Sequence, residues 1–205
     1  MGNLLAAEFY KVVRRPMTWI ALVILVAIMV TLRGLLIALS FVSLPTAGQD
    51  QAMPRDLFTS LVTLPGALAD TLNFIPSLGL FALLVVAASN AGTEFAWGTI
   101  VPLLSRGASR TQLVLAKATV LFGVVVAYLV VTVLVGLALG ALASQLHLGH
   151  VPFDWLTDQW DDFLLSLLRA FWATVPYILG AIALAILFRS SALAMGIVLA
   201  YVFVE

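Results

Sequence analysis

From Leu113 to Ala143 the chain carries a single charged residue, Lys117, in a run well beyond the roughly 20 apolar residues that a helix needs to cross a bilayer. Such a stretch cannot form a water-facing surface. In hydrocarbon only a helix or a closed barrel satisfies its own backbone. Four further apolar runs, at about 17–40, 71–89, 163–188 and 190–205, bring the number of expected spans to five. Composition agrees, with 63% of residues hydrophobic and 10% charged, where soluble domains have about a quarter charged. The expected fold is therefore all-α, a polytopic membrane helical bundle in one domain, residues 1–205. Cysteine is absent, which removes disulfides, iron–sulfur clusters and thiolate metal sites.

Residues 1–16 have the pattern of an interfacial helix. Leu5, Phe9, Val12 and Val13 fall on one side and Glu8, Lys11, Arg14 and Arg15 on the other, and Pro16 ends it. The apolar run that follows is too long for a signal peptide and is an uncleaved first span. Pro45, Gly48, Pro54, Pro65 and Gly66 mark an irregular stretch before span two. Lys11, Arg14, Arg15, Arg106, Arg110, Lys117 and Arg189 all fall on one side of the expected topology, whereas the opposite loops have Arg55 among many aspartates. The excess of basic residues places the N-terminus in the cytoplasm, with the chain multi-pass in a plasma (inner) membrane and Glu205 outside.

Between spans two and three lies "TEFAWGTIVPLLSRGASRTQLVLAK". Thr93 is suited to cap a helix start, Glu94 to its first turn, and Pro102 to its end, giving a short helix over 93–105. Ser105, Arg106 and Gly107 form a turn, and Ser109 with Gln112 is a capping-box pattern opening span three. One reading is an interfacial loop whose basic residues touch anionic lipid headgroups.

The other reading comes from a resemblance. Glu94, Gly98 with Thr99, Leu103 with Leu104, Ser109 with Arg110, and Lys117 resemble the pattern of the permease subunits of type-2 ABC (ABC-2) exporters. The opening "LLAAEFYKVVRRPMTWI" is similar to that family's interfacial helix. Gly107 departs from it, since proline is common there, and a sixth span is expected from the family. The resemblance implies two permease copies, each placing a cytoplasmic coupling helix in a cleft of a separate ABC ATPase subunit that holds ATP and magnesium. It implies that Glu94, Trp97, Gly98, Thr99, Arg106 and Arg110 serve the ATPase contact, Glu94 and Arg106 by ionic pairing and Gly98 by close backbone approach. The chain has no GxxxxGK[ST] phosphate loop and is not itself the hydrolase; no cofactor or nucleic-acid partner is expected of it. The alternative function is a cofactor-free structural or accessory subunit of a larger membrane complex.

Thr132, Gly136, Gly140 and Ser144 repeat every fourth residue, as do Ala192, Gly196 and Ala200, so Gly136, Gly140 and Gly196 are helix-packing candidates within one bundle or across a dimer seam. Arg33 and Arg169 lie near the outer ends of their spans, and Asn73, Pro76 and Pro176 within apolar runs. Arg33 is expected to snorkel and the prolines to kink their helices; a substrate path past Arg33, Asn73 and Arg169 is the functional alternative. His147 and His150 with nearby aspartates are expected to form part of an outer aromatic belt rather than a metal site.

Overall fold

The computed structural model describes residues 2–41, 55–64, 66–96, 98, 109–152 and 160–204. Among these every regular element is helical: α1 (Gly2–Arg14), α2 (Pro16–Phe41), α3 (Arg55–Val62), α4 (Gly66–Phe74), a π-helical turn (Ile75–Gly79), α5 (Leu80–Ala96), α6 (Arg110–Leu148), α7 (Trp160–Phe188) and α8 (Ser191–Val204). Four stretches are long and apolar enough to cross a membrane: Pro16–Phe41, Gly66–Phe95, Thr111–Leu148 and Trp160–Phe188. The fifth expected span is the 14-residue α8, which is shorter.

Each span is buried only as far as its neighbours reach. The inward seam of α2 is Ala21, Leu25, Met29 and Arg33, one residue per turn, while Trp19, Ile20, Val23 and Ile24 face outward. In lipid that outward apolar face needs no protein cover. The core forms around α5, where Leu83, Leu84, Ala87, Ala88 and Ala91 meet Ala21 and Leu25 of α2, Leu121, Val125 and Leu129 of α6, Ile178, Ala181 and Ala185 of α7, and Ala194 and Val198 of α8. Many of these side chains are alanines. Small residues let the helix axes approach, which is how helices associate where lipid removes the hydrophobic drive.

Span two differs from expectation at both ends. It begins at Gly66 rather than Thr71, because Pro65 precedes a helix start instead of prolonging a loop, and it continues past Ser89 to Phe95. The stretch expected to be irregular also contains α3. The backbone around the α3–α4 break is met by side chains: Ser144 Oγ of α6 accepts the Leu64 N–H at 3.0 Å. The kink expected at Pro76 is a π turn. Before it the outward residues are Asp70 and Asn73; after it they are Phe81, Val85 and Ser89, half-buried, while Leu84 and Ala88 lie in the core. An unbroken α-helix starting from Asp70 would turn the face of Leu84 and Ala88 outward, so the π turn advances the register by about one residue, roughly 100°. Ser77 Oγ donates to the carbonyls of Asn73 at 2.8 Å and Phe74 at 3.1 Å inside this widened turn. Pro176 lies inside α7, which continues through it.

The two small-residue stripes have different surroundings. A Cβ on Gly140 would sit 3.1 Å from Ala67 Cβ, and one on Gly136 would collide with Thr71, so this stripe of α6 packs on α4 of the same chain. Gly196 has open space, and Ala192 and Ala200 are exposed with it. Replacing Gly136 with valine should overpack the α4–α6 contact at a cost of about 1–3 kcal/mol. Thermal unfolding in detergent micelles should show a lower midpoint for Gly136→Val than for Gly196→Val, which meets nothing.

Candidate functional site

At the α1 end of the bundle four charges from three separate segments form a closed ring. Glu8 and Lys11 are one turn apart on α1, Glu94 is in the last turn of α5, and Lys117 is in the second turn of α6. Lys11 Nζ lies 2.7 Å from Glu8 Oε1 and 2.8 Å from Glu94 Oε1. Lys117 Nζ lies 3.1 Å from Glu8 Oε2 and 2.8 Å from Glu94 Oε1. Each cation therefore touches both anions, and two positive charges balance two negative ones. Glu8, Glu94 and Lys117 are 1%, 3% and 4% exposed, so none has bulk water to fall back on. Such groups stay ionised only when paired and hydrogen-bonded. Lys11, at the rim, is half-buried. Burial alone would lower its affinity for a proton, but the hydrogen bonds and charges of Glu8 and Glu94 outweigh that and raise its pKa above the ordinary lysine value of 10.5.

The ring explains how α1 sits. Glu8 and Lys11 of its charged side are turned into the bundle together with Val12, while Phe9 and Tyr10 are 63% and 60% exposed. The elbow into α2 is tied down next to it: Arg15 Nη1 donates to Ser89 O at 3.3 Å, and the Tyr128 hydroxyl of α6 donates to Thr18 O at 2.6 Å. On the other side of α5 the turn between α7 and α8 closes in, and a Cβ on Gly92 would lie 2.5 Å from the backbone of Ser191. Only glycine allows that approach. Arg189 in the same turn has φ 51°, the left-handed region, which lets the chain reverse direction within two residues.

Between these fastenings the chain leaves α5 and returns to α6. Thr93 does not start a new helix: Thr93–Ala96 complete α5, because Glu94 is drawn into the ring from the same helix as the core alanines. The expected helix over 93–105 thus loses its first turn to span two, and the remainder lies outside the described residues except Gly98. Gly98 ends α5 with φ 65° and donates its N–H to Phe95 O at 3.2 Å. Nothing lies within 4 Å of a Cβ built there, so its role is conformational freedom at a helix end. Trp97, Thr99 and Arg106 lie outside the described residues, as does the side chain of Arg110. Glu94, expected to meet an ATPase, is held within the chain by Lys11 and Lys117. The return is governed by the expected capping box: Gln112 N–H donates to Ser109 Oγ at 3.2 Å and Ser109 N–H to Gln112 Oε1 at 3.3 Å.

At the opposite end Arg33 does not snorkel. It turns inward at 6% exposure, and Nη2 donates to Ala67 O at 2.8 Å and Thr71 Oγ1 at 3.1 Å and pairs with Asp70 Oδ2 at 2.9 Å. Pairing across to α4 satisfies the guanidinium without a path to the headgroups. Asp70 and exposed Asn73 line an open groove of about 610 Å³ together with Ser60 and Thr63. Arg169 is exposed on α7, remote from this pair in sequence and not brought to it. His147 closes α6 by stacking on Phe41 at 4.4 Å and sharing a hydrogen bond with Ser40 Oγ at 2.8 Å.

Residues 4–205 match the family described as ABC-2 family transporter protein. The chain belongs to the ABC-2 transporter family. It is therefore an integral, multi-pass membrane protein of the ABC transporter kind, built as a helical bundle. Over 148 residues, 62% of its length, it is 29% identical to a Bacillus subtilis (strain 168) protein described as uncharacterized protein YhcI. The match takes in 43% of that relative, so the chain covers less than half of it. No solved structure matches. Within this ABC-2 protein, sequence reasoning missed Glu8 and Lys117 as partners and Gly92 as a contact. The signals were present: a lone lysine in an apolar run needs an anion, and Ala88 with Gly92 is itself a small-residue pair at helical spacing.

Removing one member of the ring strands a buried charge. Lys117→Met should cost about 3–5 kcal/mol, seen as a large fall in the detergent unfolding midpoint. The pH dependence follows from Lys11. Its raised pKa means that its contribution is complete below the ordinary lysine value of 10.5 and is lost as pH rises through the folded value. Unfolding midpoints should hold steady on its account from neutral pH to mildly alkaline pH and fall beyond; Lys11→Met should lack that alkaline component.

Proposed function

We propose that the chain is the membrane-spanning permease subunit of an ATP-driven ABC exporter, working with a separate ABC ATPase and with a second permease copy. Family membership across residues 4–205, in a chain that has no phosphate loop of its own, is the observation that carries this reading. The N-terminus and residues 97–109 face the cytoplasm of a plasma (inner) membrane, in line with the excess of Arg and Lys on that side. There residues 97–110 form the contact for the ATPase, through Trp97, Thr99, Arg106 and Arg110, with Gly98 setting the direction in which they leave α5.

In this scheme Glu94 has a supporting part. It fastens the end of span two to α1 and to span three, so that force on residues 97–109 reaches three helices together. Asn73 borders the substrate path, on the open groove beside Asp70, and Arg33 holds Asp70 in place from behind. Arg169, exposed on α7, stands on the same path only if the second copy closes over it. ATP and magnesium belong to the partner.

The test is a pull-down from membranes solubilised in mild detergent. A phosphate-loop ATPase should co-purify, Arg106→Glu should release it, and the purified variant should keep its unfolding midpoint. Repeated recovery of the chain with no ATPase would overturn the proposal. A cysteine at position 106, in a chain that otherwise has none, should react with an impermeant maleimide in inside-out vesicles and not in right-side-out ones.

A further inference from the structure

The ring contains more than is needed to hold a bundle together. Buried ion pairs replaced by well-packed apolar residues often leave stability unchanged or improve it, because desolvation offsets most of the attraction. What an apolar contact does not supply is direction. Here each lysine is held between two carboxylates, so the relative placement of α1, the end of α5 and the start of α6 is defined at four points within 3.1 Å. Two of the three segments are the helix ends that bracket residues 97–109. The third, α1, is far away in sequence and reaches α6 through Glu8, bound to Lys117, and α5 through Lys11, bound to Glu94; Glu8 also holds Lys11 with its second oxygen.

We propose that Glu8 is a positioning residue for the ATPase-facing segment: acting through Lys117 and Lys11, it sets the separation and angle between the end of α5 and the start of α6. This rests on the function proposed above for residues 97–109. Glu8 itself touches neither ATPase nor cargo. Its carboxylate holds Lys117 Nζ at 3.1 Å, Lys117 holds Glu94 at 2.8 Å, and Glu94 is four residues before the left-handed Gly98 at which the chain turns. Glu8 and Lys11 together bring α1 into the unit, and the Arg15–Ser89 link ties the elbow of span one to the same end of α5. Asn90, one turn before Glu94, is 3% exposed, so this end of α5 is enclosed on that side as well.

The experiment compares the full chain, Glu8→Gln, Lys117→Gln and Glu8→Gln/Lys117→Gln in nanodiscs by amide hydrogen exchange. The double variant removes one charge of each sign and leaves the Lys11–Glu94 pair. Each single variant should raise exchange at residues 92–96 and 110–117 by about tenfold while residues 121–145 stay within about twofold of the parent. The double variant should fall back toward the parent, because the two groups act on each other. Additive effects, or a rise spread evenly along α6, would overturn the proposal. If Glu8→Gln does not fold, Glu8→Asp keeps the charge with a shorter reach, and should give a smaller rise confined to the same residues; no rise there refutes the proposal. With the ATPase subunit co-expressed and bound, Glu8→Gln should lower ATP turnover about fivefold, with partial recovery in the double variant. Unchanged turnover despite raised exchange counts against positioning. A parent chain that recruits no ATPase would sink the transporter reading alone, since the exchange comparison needs no partner.

Discussion

A charge taken out of water must find its opposite, and at one end of this molecule four charges do so together. Glu8, Lys11, Glu94 and Lys117 come from three segments, and each cation touches both anions. Much of the local architecture follows. The interfacial helix docks by Glu8, Lys11 and Val12, where the two charges have partners, and it leaves Phe9 and Tyr10 exposed. Span two extends six residues beyond Asn90, to Ala96, with Glu94 drawn inward rather than released to a loop. The long α6 begins about two turns before its ring member Lys117 with its own cap at Ser109, so its first turns are fixed before it enters the apolar layer.

The opposite end repeats the principle on a smaller scale, with Arg33 held by Asp70, Thr71 and the Ala67 carbonyl. Between the two ends the contacts are made by alanine, glycine and branched aliphatic side chains. That division suits a membrane protein. Lipid tails compete with apolar side chains for each other's surface, so shape alone distinguishes one helix contact from a neighbouring register only weakly. Ionic contacts at the ends distinguish them strongly, since a shift of one turn would leave a buried charge alone.

What could be read from residues was whatever depended on local pattern. The all-helical bundle followed from the apolar runs, and the cap at Ser109 and Gln112 from their spacing. The outcomes that needed distant partners could not be read. Arg33 looked like a snorkelling residue because its anion is 37 positions away, and Glu94 looked like the start of a helix because Thr93 is a good cap in isolation. Lys117 was counted for topology, though a lone lysine in an apolar run already demands an acid. Pro65 was taken to prolong a loop where it precedes a helix. The turn at Pro76 was expected as a kink, but one residue of register is not visible in composition. Glycine was legible at positions 136 and 140 as part of a four-residue repeat. Gly92, whose neighbour Ser191 is nearly a hundred positions on, was overlooked.

The widened turn at Ile75–Gly79 sets how span two is allowed to vary. On its two sides the helix obeys different phases, one suited to showing Asp70 and Asn73 and the other to hiding Leu84 and Ala88. A helix of this kind is constrained in the number of its residues as well as in their identity. Dropping one amino acid inside the five would restore ordinary winding and swing the whole upstream half by about a quarter of a revolution, turning carboxylate and amide toward alanine. Evolution can therefore edit the identity of these five positions more freely than their number.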